Sequence, residues 1–176
     1  MWTGPVVMGE RQVEMNVVYD TGSDWLVVFG KDCTNCNGTK FDSRNGIPTT
    51  SSVSERNYGS ASLTGREFRD SVCIDFRTCA RDFEYFSILT QQGLNPPIEG
   101  ILGMSQNSSS AMEGRAFVEV GPLFVEHAVR DGTLRVPTFS FCMKTLKGGK
   151  SHVDFGRPDD FFVKGGNLDN VAWLGT

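Results

Sequence analysis

Short apolar runs bounded by polar or turn-forming residues recur along most of this chain. Residues 17–19 and 25–29 are continuous apolar runs on either side of a polar turn, and in residues 71–76 apolar and polar side chains interchange. Runs of this length, rich in β-branched and aromatic residues, are typical of strands. The 20 glycines and 7 prolines supply turns between the runs. The pattern therefore predicts a mainly β protein.

One segment, residues 122–130, instead has the periodicity of a short amphipathic helix. Pro122 stands where a first helical residue is favoured, and Gly132 stands where a helix would end. The apolar residues of the segment share one predicted face: Phe124, Val125, Ala128 and Val129. The polar residues share the other face: Glu126, His127 and Arg130. We expect one short helix on a β scaffold.

The most informative chemistry lies between the first two apolar runs, where Asp20 is followed by Thr21, Gly22 and Ser23. Gly22 permits a sharp backbone turn, and the hydroxyls of Thr21 and Ser23 are available to fix the carboxylate. A charge between two buried strands is costly unless it is paired or functional. The turn predicts a catalytic carboxylate at Asp20, while Asp-Thr-Gly on its own also occurs in ordinary hairpin turns.

Five segments resemble, in order and rough spacing, the N-terminal lobe of the pepsin-like aspartic proteases. They are the strands around Asp-Thr-Gly-Ser, a Tyr-Gly segment, an Ile-Leu-Gly segment, a helix and a Phe-Ser-Phe strand, at residues 17–28, 56–60, 99–104, 122–130 and 139–141. Five ordered matches are far more specific than one tripeptide. The resemblance implies closed, orthogonally packed β-sheets with a flap hairpin and one or two short helices.

The resemblance also implies aspartic endopeptidase chemistry. Asp20 would be one of two catalytic aspartates, with Thr21 and Gly22 supporting it and Ser23 as its outer hydroxyl partner. Two carboxylates held close together share one proton, so that one deprotonates a bound water while the other donates to the substrate carbonyl. No cofactor or metal is implied.

A flap and an apolar wall are implied as the substrate-binding parts: Tyr58, Gly59, Ser60, Ile98 and Ile101. Two positions depart from the family pattern. Val27 stands where many members have a Trp that holds the flap Tyr, with Trp25 two residues earlier, and Ala61 stands where a flap glycine is common.

Length indicates a single lobe. The 176 residues suffice for one compact domain, and they contain one Asp-Thr-Gly where the two-lobed family has two such turns. We therefore expect residues 1–176 to form one N-terminal lobe, with the second lobe absent from the chain. Residues 151–156 resemble the strand that closes this lobe, and residues 170–174 resemble the start of the central strand shared with the second lobe. From the residues before the first predicted strand, we expect no signal peptide in the sequence as given.

Five cysteines indicate an oxidising compartment. Cys33 and Cys36 lie close in sequence, as do Cys73 and Cys79, so two local disulfides are favoured over a cysteine-rich metal site. Cys142 is left over. Two glycosylation sequons, at Asn37 and Asn107, agree with a lysosomal, vacuolar or secreted glycoprotein.

Charge and motif content exclude several other classes of protein. With 17 basic and 21 acidic residues and a net charge of -4, nothing favours nucleic-acid binding. No apolar run reaches membrane-spanning length, and no phosphate-binding loop or serine-nucleophile motif is present.

Three hypotheses follow. The first is one lobe of an endopeptidase acting on peptide or protein substrates, with Asp20 catalytic and a second lobe or partner chain covering the interlobe face. The second is an inactive pepsin-like lobe that serves as a binding or structural module in a larger assembly. The third is a single-lobe enzyme in which two copies of Asp20 meet across a two-fold axis, as in retroviral proteases. The first is favoured, because the length and the resemblance at residues 170–174 point to a distinct second lobe.

Overall fold

The structure is a computed structural model that describes residues 2–59, 61–105, 121–143 and 151–156. Within these ranges the chain forms ten β-strands, one 3₁₀ turn and one α-helix. The strands are β1 Thr3–Met8, β2 Val13–Asp20, β3 Leu26–Phe29, β4 Ile47–Pro48, β5 Ser54–Tyr58, β6 Ala61–Cys73, β7 Cys79–Gln92, β8 Gly100–Gly103, β9 Phe139–Cys142 and β10 His152–Phe155. The 3₁₀ turn covers Ser43–Asn45, and helix α1 covers Phe124–Arg130. The prediction of a mainly β fold is confirmed.

Eight of these strands form one sheet that closes on itself. Neighbouring strands follow the order β1, β2, β8, β3, β7, β6 and β4, and β5 pairs with β6. Strand β1 also pairs with β6, through Val7 and Met8 opposite Cys73 and Val72. Because β1 pairs with both β2 and β6, a ring of six strands forms a closed barrel: β1, β2, β8, β3, β7 and β6. The hairpin of β5 and β6 extends from that barrel.

The core lies inside the closed sheet because most inward positions of the barrel strands carry apolar side chains. Strands β1 and β2 alternate, and their inward residues Val6, Met8, Met15 and Val17 are fully buried. Strands β3 and β8 are buried at every position, as expected for short apolar strands covered on both faces. Burial of each large apolar side chain stabilises the fold by about 1.5–3 kcal/mol.

Helix α1 starts two residues later than the sequence pattern predicted. It begins at Phe124 rather than Pro122, and Leu123 at its N-terminus makes no side-chain capping hydrogen bond. The apolar face is confirmed, since Phe124, Val125 and Ala128 are buried. No helix in the described part of the chain has the length and apolar character needed to cross a membrane.

His127 belongs to the polar face predicted for α1, yet its side chain is only 10% exposed. Its imidazole packs edge-on against Phe83 of β7, with ring centroids 5.1 Å apart. Its Nε2 atom lies 2.7 Å from the carbonyl oxygen of Arg81. A helix of two turns lying against a wide sheet buries residues on its flank as well as on its apolar stripe.

The strands expected at residues 139–141 and 151–156 are present as β9 and β10, and they pair with each other in a separate antiparallel sheet. Phe155 of β10 contacts Tyr19 of β2 and Phe124 of α1, with ring centroids 6.1 and 6.2 Å apart. These contacts dock the small sheet on the strand that ends in Asp20. Residues 170–174, which the resemblance assigned to a central strand, lie outside the described residues.

The predicted disulfides are confirmed, because Cys33 bonds to Cys36 and Cys73 bonds to Cys79. The second bond closes the hairpin between β6 and β7, where the two cysteines face each other in register. Cys142 is a free, half-buried thiol at the end of β9.

Candidate active site

Asp20 is the last residue of β2 and lies in a parallel ladder with β8, where it pairs with Gly103. Its side chain is half-buried, and its Oδ1 atom accepts a hydrogen bond of 3.0 Å from the backbone amide of Gly22. The Thr-Gly sequence therefore folds back on the carboxylate and holds it at the end of the strand.

The turn after Asp20 is fixed by the end of β8, and sequence analysis did not identify this support. Backbone amides of Gly103, Met104 and Ser105 donate to the carbonyl oxygens of Trp25, Asp20 and Ser23, respectively, over 2.8–3.0 Å. These three bonds hold both ends and the middle of the turn. The carboxylate is therefore carried by a rigid element, as a catalytic group requires.

Gly103 approaches this turn so closely that no side chain fits. A Cβ atom at Gly103 would lie 2.3 Å from the carbonyl carbon of Asp24 and 2.6 Å from its Cα atom. Both atoms belong to backbone and cannot swing away as a side chain can. Glycine is therefore required at position 103 by the close contact of two backbones.

Within the described part of the chain, neither of the two hydroxyls expected beside Asp20 donates a hydrogen bond to its carboxylate. Thr21 is exposed, and the Oγ atom of Ser23 is buried without a hydrogen-bond partner there. The Gly22 amide holds the carboxylate instead, because it points directly at Oδ1 in the tight turn.

Asp20 borders a cavity of about 820 Å³ that lies under the hairpin of β5 and β6. We call it the Asp20 cavity. Seven of the residues predicted for the site line it: Asp20, Gly22, Ser23, Tyr58, Gly59, Ile98 and Ile101. Thr21 is not among its lining residues, and Ser60 lies outside the described residues. Val18 and Leu94 extend the apolar wall formed by the two isoleucines.

The predicted flap hairpin is present and is formed by β5 and β6. Tyr58 pairs with Ala61 at the end of the ladder between β5 and β6, and Gly59 takes a positive φ of 44° in the connecting turn. Tyr58 is half-buried, and burial raises the pKa of its hydroxyl well above the ordinary value. The nearby charges of Asp24 and Asp20 raise this pKa further, while Arg56 opposes them. Tyr58 therefore lies within electrostatic reach of Asp20 and remains a neutral hydrogen-bond donor.

Sequence analysis missed the acidic and basic residues that share the cavity, namely Asp24, Glu55 and Arg56. The Oδ2 atom of Asp24 accepts a 2.6 Å hydrogen bond from the amide of Gly121, which precedes α1. Nothing near Asp24 in the sequence indicates a partner 97 positions away. Among the described residues, no group of three or more His, Cys, Asp or Glu side chains is arranged to hold a metal ion.

This combination of a closed β-fold, an Asp-Thr-Gly turn locked to an Ile-Leu-Gly strand and a Tyr-bearing flap is that of a pepsin-like lobe. Comparison with known proteins agrees, since residues 1–171 match the model of the eukaryotic aspartyl protease family. The chain belongs to this family, so the predicted resemblance is confirmed.

A relative of this chain is pregnancy-associated glycoprotein 1 of Ovis aries, to which it is 25% identical over 173 residues. The matched region covers 94% of this chain and 43% of the relative. The chain thus spans less than half the length of that relative.

Proposed function

We propose that this chain is one lobe of an aspartic endopeptidase and that Asp20 is one of its two catalytic carboxylates. The observation that carries this proposal is the placement of Asp20 on a turn fixed by three backbone bonds, at the border of the cavity under Tyr58. Membership of the aspartyl protease family supports the same class of reaction.

The second carboxylate is assigned to a second lobe or to a partner chain that covers the open side of the Asp20 cavity. The 43% coverage of the relative supports a second lobe, and residues 1–176 are then a single N-terminal lobe. We refer to this lobe together with its partner as the two-lobe protein. In it, the two carboxylates share a proton, and the ionised one takes a proton from a water molecule that attacks the peptide carbonyl.

The substrate is a peptide segment that binds across the Asp20 cavity. The aliphatic side chains of Val18, Leu94, Ile98 and Ile101 form the wall for an apolar substrate residue. Tyr58 covers the segment and excludes water, which strengthens electrostatic interactions with the reacting groups.

The two disulfides are typical of proteins that pass through the secretory route. Within that route we propose an acidic lumen such as a lysosome or vacuole, or secretion from the cell. Asn37 is exposed on the loop after Cys36 and is accessible for glycosylation, whereas Asn107 lies outside the described residues.

A second candidate function is an inactive pepsin-like lobe that binds peptides or other proteins. The relative from Ovis aries supports it, because that protein is named as a glycoprotein rather than as a peptidase. In this case the Asp20 cavity still binds a peptide segment, and no bond is cleaved.

The two-lobe protein is expected to cleave peptides between large apolar residues at acidic pH. Activity falls at higher pH because both carboxylates then ionise and the shared proton is lost. A fluorogenic peptide assay across pH, with and without a chelator, measures this. Cleavage that a chelator abolishes would contradict the proposal, and peptide binding without cleavage would favour the second candidate.

A further inference from the structure

The flap hairpin carries two opposite charges on its buried face. Inward positions alternate along β5, where Ser54, Arg56 and Tyr58 are half-buried while the residues between them are exposed. On β6 every second residue from Ala61 to Glu67 is buried, and Glu67 is 5% exposed. Apolar side chains ordinarily fill such a row, because a buried charge is costly unless it is paired.

Arg56 and Glu67 form an ion pair that joins the two strands of the flap. The Nη2 atom of Arg56 lies 2.5 Å from the Oε1 atom of Glu67, and the two side chains are 11% and 7% exposed. The pair is shielded from water, so screening by solvent and salt weakens it far less than a surface pair.

The guanidinium group of Arg56 also contacts two aromatic rings outside the flap. Its Cζ atom lies 3.9 Å from the ring centroid of Trp25 and 5.1 Å from that of Phe86. Trp25 follows the Asp20 turn, and Phe86 belongs to β7. A planar cation suits this arrangement because it stacks on aromatic faces while its edge bonds a carboxylate.

Trp25 contributes its ring to this contact rather than its N–H group. Its Nε1 atom is buried and has no hydrogen-bond partner in the described part of the chain. Among the described residues, therefore, the Trp25 N–H group does not donate a hydrogen bond to Tyr58. The ring of Trp25 instead contacts Arg56, and this contact links the flap to the segment after Asp20.

We propose that Arg56 is a positioning residue that holds the flap, and with it Tyr58, at a fixed place over Asp20. This role rests on the proposed function, because Tyr58 matters to the reaction only if Asp20 is catalytic. Arg56 precedes Tyr58 by two positions on the same face of β5, so a displacement of Arg56 moves Tyr58 directly. Glu67 fixes the Arg56 side chain, and Trp25 provides the surface against which it packs.

Amide hydrogen exchange of the full 176-residue chain tests this role without requiring catalysis. Arg56→Met and Glu67→Gln are each expected to speed exchange in β5 and the first half of β6 by about tenfold, with α1 unchanged. Arg56→Met/Glu67→Met leaves no unpaired buried charge but still loses the contact of Arg56 with Trp25, so its flap exchange is expected to lie between that of the parent chain and that of the single variants. Arg44→Met is the matched control, since Arg44 pairs with Asp42 at the surface with its side chain 69% exposed.

Arg56→Lys keeps the charge but not the planar group, and it is expected to fold and to loosen the flap as well. Flap exchange no faster than in Arg44→Met would overturn the proposal. An equal increase of the exchange rate in the flap and in α1 would also overturn it, because the ion pair of Arg56 and Glu67 would then support only the global stability of the chain.

In the two-lobe protein, Arg56→Met is further expected to lower kcat/KM for peptide cleavage by about tenfold. If the parent protein cleaves nothing, the endopeptidase proposal fails, while the exchange result still decides the role of Arg56 in the flap.

Discussion

Replacement of Asp20 by Asn in the two-lobe protein is expected to lower kcat/KM for peptide cleavage by about a hundredfold to ten-thousandfold. Asn has nearly the shape of Asp and can still accept the Gly22 amide bond, so the turn is preserved. It cannot take a proton from water, and it cannot share a proton with a second carboxylate. The loss therefore falls on the chemical step, and kcat measured at saturating peptide reports it.

Asp42→Asn is the control for this measurement. Asp42 forms surface ion pairs with Lys31 and Arg44 and does not line the Asp20 cavity. Its replacement is expected to leave kcat within about twofold of the parent, because exposed ion pairs contribute little. Cleavage by Asp20→Asn at the rate of this control would remove Asp20 from the mechanism.

Replacement of Gly103 by Ala is expected to lower the free energy of unfolding by about 3 kcal/mol, near the upper end for overpacking of a filled core. The new Cβ atom would lie 2.3–2.7 Å from three backbone atoms of Asp24. Either β8 or the Asp20 turn must move, and the backbone bonds between them weaken together. Urea unfolding of the chain measures the effect, and cleavage by the two-lobe protein should fall as well.

Gly132→Ala is the matched control for this loss. Gly132 follows α1 with a positive φ of 72°, and a Cβ atom there meets nothing within 4 Å. Its replacement costs only the strain of a left-handed conformation, about 1–2 kcal/mol. A loss for Gly103→Ala no larger than for Gly132→Ala would mean that the Asp20 turn is not held against β8.

Sequence reasoning predicted those parts of the protein whose signal is local. Asp-Thr-Gly between two apolar runs located the Asp20 turn, the Tyr-Gly segment located the flap, and cysteine spacing located both disulfides. In each case the residues that determine the structure are adjacent or a few positions apart. Turn-forming residues and strand periodicity act over that same distance.

The remaining features depend on residues that are far apart in sequence. The parallel pairing of Asp20 with Gly103 joins two strands that are far apart in sequence, and the bond between Asp24 and Gly121 spans 97 positions. Sequence analysis assigned no role to Arg56, because its partners Glu67 and Trp25 lie on other elements. The contact of His127 with Phe83 of β7 was not predicted for the same reason.

The measurement that tests the central claim most directly is calorimetric titration of the two-lobe protein with a statine-type transition-state mimic at acidic pH. The hydroxyl of such a mimic occupies the place of the attacking water between the two carboxylates, and transition-state mimics bind at least about a hundredfold more tightly than substrates. The account predicts one mimic bound per molecule of Asp20-bearing chain, and binding at least about a hundredfold weaker in Asp20→Asn. Equal binding by the parent protein and by Asp20→Asn, or no binding by either, would contradict the assignment of Asp20 as a catalytic carboxylate.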